Sequence, residues 1–234
     1  MSMENMDDKP FWREAIKFPA KLCTVAVLLV LSCHQSQDSN QAVALNTSYQ
    51  QQRLANYEAT ILPQAHAMVQ SGDLITRLGS DITSEMLRQL NQADKSYSHC
   101  GIASIENDTV FVYHSIGGEF NPNQKMKREA LSSFGHPTEN KAIAIFRPQL
   151  SHSQRTVLLK MVKGLYHAGV PFDMKFDYTT NHELYCAEMV AKCMAVAVQN
   201  QHWFTITQQG AFKYVSVDNL FLSPVMQLQG GWQY

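Results

Sequence analysis

Apolar residues Leu54, Tyr57, Ile61, Ala65 and Met68 recur at spacings of three and four. This predicts a helix over 48–70, bent near Pro63. Ser71-Gly72-Asp73 breaks the period, and Leu74-Ile75-Thr76-Arg77 reads as a short strand. A helical or irregular stretch is expected over 84–91. The β-rich runs 99–105 and 109–116, around Glu106-Asn107-Asp108, predict a hairpin closed by Gly117-Gly118. Residues 141–147 form another expected strand, stopped by Pro148. Residues 151–168 form a helix with Ser151 or Ser153 as N-cap and Gly169 at its end. An irregular run, 170–182, leads to a second helix over 186–199. Tail strands are expected at 204–207, 214–217 and 225–228. The pattern is α+β, with helices set around a mainly antiparallel sheet.

The N-terminus differs in kind. Arg13, Lys17 and Lys21 precede the apolar run Leu22 to Leu31, too short at ~1.5 Å per residue to span a ~30 Å hydrocarbon core. A basic region followed by a short apolar one is a secretory signal pattern. It ends at Val30-Leu31-Ser32-Cys33, which resembles a bacterial lipobox, with Leu31 an imperfect fit and Cys33 the expected lipidation site. A cleaved signal, an uncleaved anchor and a cytosolic protein are the other readings. The domain expectation is a signal segment 1–33, a polar tether 34–47 and one domain over 48–234. The expected location is a bacterial envelope, as a membrane-anchored lipoprotein or a periplasmic or secreted protein.

The 234-residue chain is 45% hydrophobic, enough for one substantial core. Its formal net charge of −1 gives no basic balance pointing to nucleic acid. Beyond the signal the cysteines are Cys100, Cys186 and Cys193, an odd number that leaves at least one free thiol. No C-x-x-C or H-E-x-x-H motif occurs, so neither a metal site nor a cofactor is expected.

Cys186 opens the alanine-rich second helix. Unpaired N–H groups and the positive end of the helix dipole favour a thiolate there, and a thiolate is the competent nucleophile. Cys193, mid-helix, lacks that help and reads as core. His99 opens a strand and is the candidate base. Cys100, its neighbour, points to the opposite face and is a poor partner for it. His114 is the candidate orienting group. A two-residue hairpin loop places His99 and His114 on one face, whereas a three-residue loop separates them unless a bulge restores the register. Ser115 and Glu119 are weaker alternatives. Tyr185, with the N–H of Cys186, is a candidate for the oxyanion region. Glu188 points away and braces a loop, and Asp173 and Asp177 either cap turns, the preferred reading, or bind a cation.

Several stretches stand in a recognisable order between Gln70 and Val217: Ser71 to Arg77, Tyr97 to Ile102, Val112 to Ser115, Gly169 to Asp173 with Phe176-Asp177, and Glu183 to Val190. In these the chain resembles the circularly permuted branch of the NlpC/P60 papain-like superfamily, the YiiX/YebB-like cysteine hydrolases. The resemblance implies a papain-like core with the cysteine helix moved behind the sheet, Cys186 as nucleophile and His99 as base. It also implies a third polar residue on the strand after the histidine, often glutamate, where His114 stands here. Ala187 replaces a frequent serine. The implied activity is thiol hydrolysis of an amide in the envelope through an acyl-enzyme, on a peptidoglycan peptide or another acylated molecule. The alternatives are a lipid acyl hydrolase or acyltransferase, with an apolar trough drawn from Phe172, Met174, Phe176 and Tyr178, and a non-catalytic binding module.

Overall fold

The computed structural model describes residues 45–118, 121 and 123–234. The expected signal segment, Cys33, tether residues 34–44 and Glu119 lie outside them. The chain divides into two units, 1–49 and 50–234. Residues 45–49 of the first are helical. All elements named below belong to the second.

Helix α1 (residues 50–68) buries Tyr57, Ile61 and Ala65, the face predicted from their spacing. Its middle turn, Tyr57–Ile61, is a π-helix in which the N–H of Leu62 reaches Tyr57 O. Pro63 follows at once and has no N–H to continue the ladder, so the wider turn accommodates it where a kink was expected.

Six strands form one sheet: β1 (Leu74–Gly79), β2 (His99–Glu106), β3 (Thr109–His114), β4 (Lys127–Ala130), β5 (Asn140–Pro148) and, last in sequence, β8 (Met226–Gln233). Their order is β4-β3-β2-β1-β5-β8, with every neighbour antiparallel. β6 (Thr207–Gln209) and β7 (Phe212–Tyr214) make a separate hairpin. The helices are α2 (Ile82–Leu87), α3 (Leu131–Phe134), α4 (His152–Ala168), α5 (Cys186–Val198) and α6 (Val217–Phe221).

Strand alternation sorts the core into two layers. Leu74, Cys100, Ile102, Ala144 and Phe146 pack with α4 and α5 residues such as Leu158, Val162, Met189 and Cys193. Ile75, Ala103, Val112, Ile143 and Ile145 pack on the other face with Tyr57, Ile61, Leu131 and Phe134. The Ser71-Gly72-Asp73 landmark is structural: Asp73 is fully buried and takes a bidentate pair from Arg147, at 2.7 and 3.0 Å.

Three elements were not expected from the pattern, the short helix α3 (Leu131–Phe134) among them. β4, Lys127-Arg128-Glu129-Ala130, is a polar edge strand, defined by its pairing with β3 and not by any alternation. α6 starts inside the expected strand 214–217, because Asn219 accepts from the Ser216 N–H at 3.0 Å and caps a helix start there. β8 runs beyond the expected 225–228, through Gly230-Gly231, where a two-residue period is hard to see.

Candidate active site

The hairpin of β2 and β3 turns on Asn107 and Asp108, both at positive φ (49° and 62°). Such a two-residue turn matches the twist of the flanking strands. Glu106 pairs with Thr109 and Ile102 with Tyr113, so His99 and His114 share a face. Gly101 lies between them. A Cβ there would sit 2.6 Å from Tyr113 O and 2.9 Å from His114 Cβ, so only glycine admits this approach. His99 Nε2 and His114 Nδ1 are 2.8 Å apart.

Behind them stands Glu129, which the sequence did not single out. Its Oε2 lies 3.2 Å from His114 Nε2. At that distance the carboxylate is in reach of the His114 N–H, and the two groups shift each other's protonation. His114 is fully buried, and burial pushes its pKa down to about 3 against the pull of Glu129. The ring in turn holds the Glu129 carboxyl down to about 2. His114 is therefore a neutral imidazole across ordinary pH. It presents Nε2–H to Glu129 and accepts the His99 Nε2–H at Nδ1, which leaves His99 Nδ1 as the nitrogen that exchanges a proton with Cys186.

Cys186 is the first residue of α5, after an extended Tyr185. The approach to it is anchored at several points. Ser115 Oγ donates to Leu184 O at 2.6 Å, and the Leu184 N–H donates to Pro171 O at 3.0 Å. Asp173 accepts from the N–H groups of Lys175 and Asp177, and Asp177 from that of Thr179, so both aspartates cap turns. Glu188 accepts from the Tyr185 N–H at 3.2 Å and pairs with Lys192 at 2.8 Å. Lys192 also donates to Asn181 Oδ1, at 2.9 Å, so Glu188 braces the loop before its own helix.

The Cys186 thiol is held well below its ordinary pKa. The largest cause is a hydrogen bond from the Cys100 thiol; burial opposes it, and the His99 imidazole adds both charge and a hydrogen bond. Cys100, fully buried and beside this thiolate, is pushed well up and stays a thiol donor. Alternation does place Cys100 away from His99, but that side is where α5 packs, so Cys100 touches Cys186 instead. Cys193 is fully buried, and burial alone pushes it up to about 12, as a core thiol should be. No group of three or more side chains suited to a metal ion occurs among the described residues.

A cavity of about 550 Å³ opens on Cys186 and His99. Phe172, Met174 and Phe176 line it, as expected for an apolar trough, whereas Tyr178 does not and instead lies under the Lys192 ammonium. Tyr185 also lines it; its N–H is held by Glu188 at 3.2 Å, and its hydroxyl accepts from the Val215 N–H at 2.7 Å while keeping its own proton as a donor. The Cys186 N–H, in the first helical turn with no intrahelical partner, is the backbone candidate for an oxyanion donor. Arg77 also lines the cavity, directly opposite His99 across β1 and β2.

A thiolate, an imidazole with a free nitrogen and a backbone donor around one cavity can perform acyl transfer. A family model described as "permuted papain-like amidase enzyme, YaeF/YiiX, C92 family" matches residues 68–218. A crystal structure described as that of metalloprotein yiiX from Escherichia coli O157:H7 is similar in fold, with a TM-score of 0.58 at 19% identity over 71% of this chain and 99% of that one. No curated protein matches the chain.

Proposed function

The chain belongs to the permuted papain-like amidase family, a cysteine hydrolase by that membership, and from that premise we propose that it cleaves an amide through an acyl-enzyme on Cys186. The observation that carries the reading is the connected set Cys186, His99, His114 and Glu129 at one end of the sheet. In it the Cys186 thiolate attacks the amide carbonyl and the Cys186 N–H receives the developing oxyanion. The proton taken up by His99 Nδ1 passes to the leaving amine, and the acyl-sulfur bond forms as the carbon–nitrogen bond breaks. Water, deprotonated by His99, then releases the acid and restores the thiolate. His114 fixes the His99 tautomer, and the Glu129 charge favours the transient imidazolium.

The proposed substrate is an envelope amide, either a peptidoglycan peptide or another acylated molecule. The basic-then-apolar N-terminal stretch ending at Cys33 supports an envelope location, as a lipoprotein or an exported protein, and membrane association through that segment. Among the described residues no helix is long and apolar enough to cross a membrane. A lipid acyl substrate is the second reading, favoured by Phe172, Met174 and Phe176 in the cavity wall. Kinship with the wider NlpC/P60 superfamily is part of the same proposal.

The test is iodoacetamide labelling with peptide mapping, followed by amine release from envelope fragments and mass detection of an acyl adduct. Cys186 should label first, and Cys186→Ala should abolish both release and adduct. Preferential labelling of Cys100 or Cys193, or full activity of Cys186→Ala, would overturn the reading.

A further inference from the structure

The mechanism above leaves one charged group in the cavity without a task. Arg77 pairs with His99 across β1 and β2, so both side chains project from the same face. Its guanidinium lies over the Phe134 ring, 4.5 Å from the centroid, and Nη1 donates to Phe134 O at 2.8 Å. That bond uses one of five N–H donors. None of its nitrogens is sealed off from solvent without a partner, so the remaining donors reach solvent at a residue that lines the cavity. Among the described residues, no carboxylate pairs with Arg77 within 4.0 Å.

The acids around the same cavity are Asp81, Glu129 and Glu139. Asp81 is committed to the N–H and hydroxyl of Ser84, at 2.9 and 2.7 Å. Glu129 is committed to His114 and to Lys127, at 3.2 and 3.6 Å. Glu129 first, then Glu139 and Asp81, act on Arg77 through their charges, but none forms an ion pair with it. A guanidinium surrounded by protein without a direct counter-ion is costly. It sits over Phe134 with Nε and Nη2 unclaimed by any hydrogen bond among the described residues, an edge that can bind a carboxylate in two parallel hydrogen bonds.

We propose that Arg77 is a substrate-binding residue that takes a carboxylate lying a few bonds from the scissile amide, so that the enzyme acts on carboxylate-bearing amides. This deepens the reading above and rests on Cys186 as nucleophile. The competing role is electrostatic support of the thiolate, which would affect charged and neutral reagents alike.

Two alkylating reagents that differ in charge separate these roles. Second-order rates of iodoacetate and iodoacetamide at Cys186 are read by peptide mass on the full chain, for wild type, Arg77→Gln and Arg77→Lys. Arg77→Gln should lower the iodoacetate-to-iodoacetamide ratio by about tenfold or more, the usual worth of a hydrogen bond to a charged group. Arg77→Lys should keep part of the preference. In wild type, N-acetyl-L-alanine should slow iodoacetamide labelling and N-acetyl-L-alaninamide should not, a comparison that needs no variant to fold. An unchanged ratio, or equal protection by the two acetylated compounds, overturns the carboxylate site while leaving Cys186 as nucleophile. Failure of both reagents to label Cys186 overturns both readings.

Discussion

Gly101→Ala tests the closest packing in the proposed site. The added methyl would lie 2.6 Å from both Tyr113 O and Val112 Cγ1, and 2.9 Å from His114 Cβ. Ordinary contacts of this kind lie near ~3.4 Å, so β3 has to retreat by roughly 0.5–1 Å, at an overpacking cost of ~1–3 kcal/mol. β3 carries His114, whose Nδ1 is 2.8 Å from His99 Nε2. A retreat of that size stretches the contact to about the limit of a hydrogen bond. His99 then loses its fixed tautomer, and a displacement of ~1 Å is worth roughly 10²-fold in rate. The assay pairs urea unfolding with amide hydrolysis, on samples shown by circular dichroism to be folded. A variant that loses stability but hydrolyses at the wild-type rate would refute the role of the His99–His114 contact. A variant as stable as wild type would refute the close approach itself.

Three further outcomes follow from the same geometry. Cys100→Ala removes the thiol donor to Cys186, so the Cys186 pKa should rise; iodoacetamide labelling should slow at pH 6 and converge with wild type at pH 9, and an unmoved pH profile would count against the contact. Glu129→Gln keeps the size but loses the charge, which at roughly 8 Å from His99 and an effective dielectric of about 20 is worth ~2 kcal/mol; hydrolysis should fall by about thirtyfold with little change in KM, and an unchanged kcat would remove Glu129 from the mechanism. Burial raises the Glu188 pKa in the fold to about 7, from an ordinary 4.5, so the folded state holds a proton that the unfolded chain releases between those values. Stability should therefore fall by up to ~3 kcal/mol as pH rises through that window, and Glu188→Gln, compared by urea unfolding at pH 5 and pH 8, should lose this dependence.

What could be read beforehand depended on where each residue sits in its element. Cys186 and His99 are legible because each opens an element, and an element's first residue has a distinctive environment in any fold. His114 needed only the hairpin register, which Asn107 and Asp108 settle by closing a two-residue turn. Glu129 could not be found, because β4 has no period of its own and exists through its pairing with β3. Parity separated His99 from Cys100 correctly, yet parity cannot say which face a distant helix will cover. α5 covers the Cys100 face, while His99 projects toward Phe134 on the other. The proposed nucleophile and base thus come from opposite sides of the sheet, and they can meet only where the sheet ends. His99 meets that condition as the first residue of β2. A histidine two residues on, at 101, would share its face but press directly against β3, where even a methyl has no room. The site's position at the strand end is therefore set by the chemistry as much as by the fold.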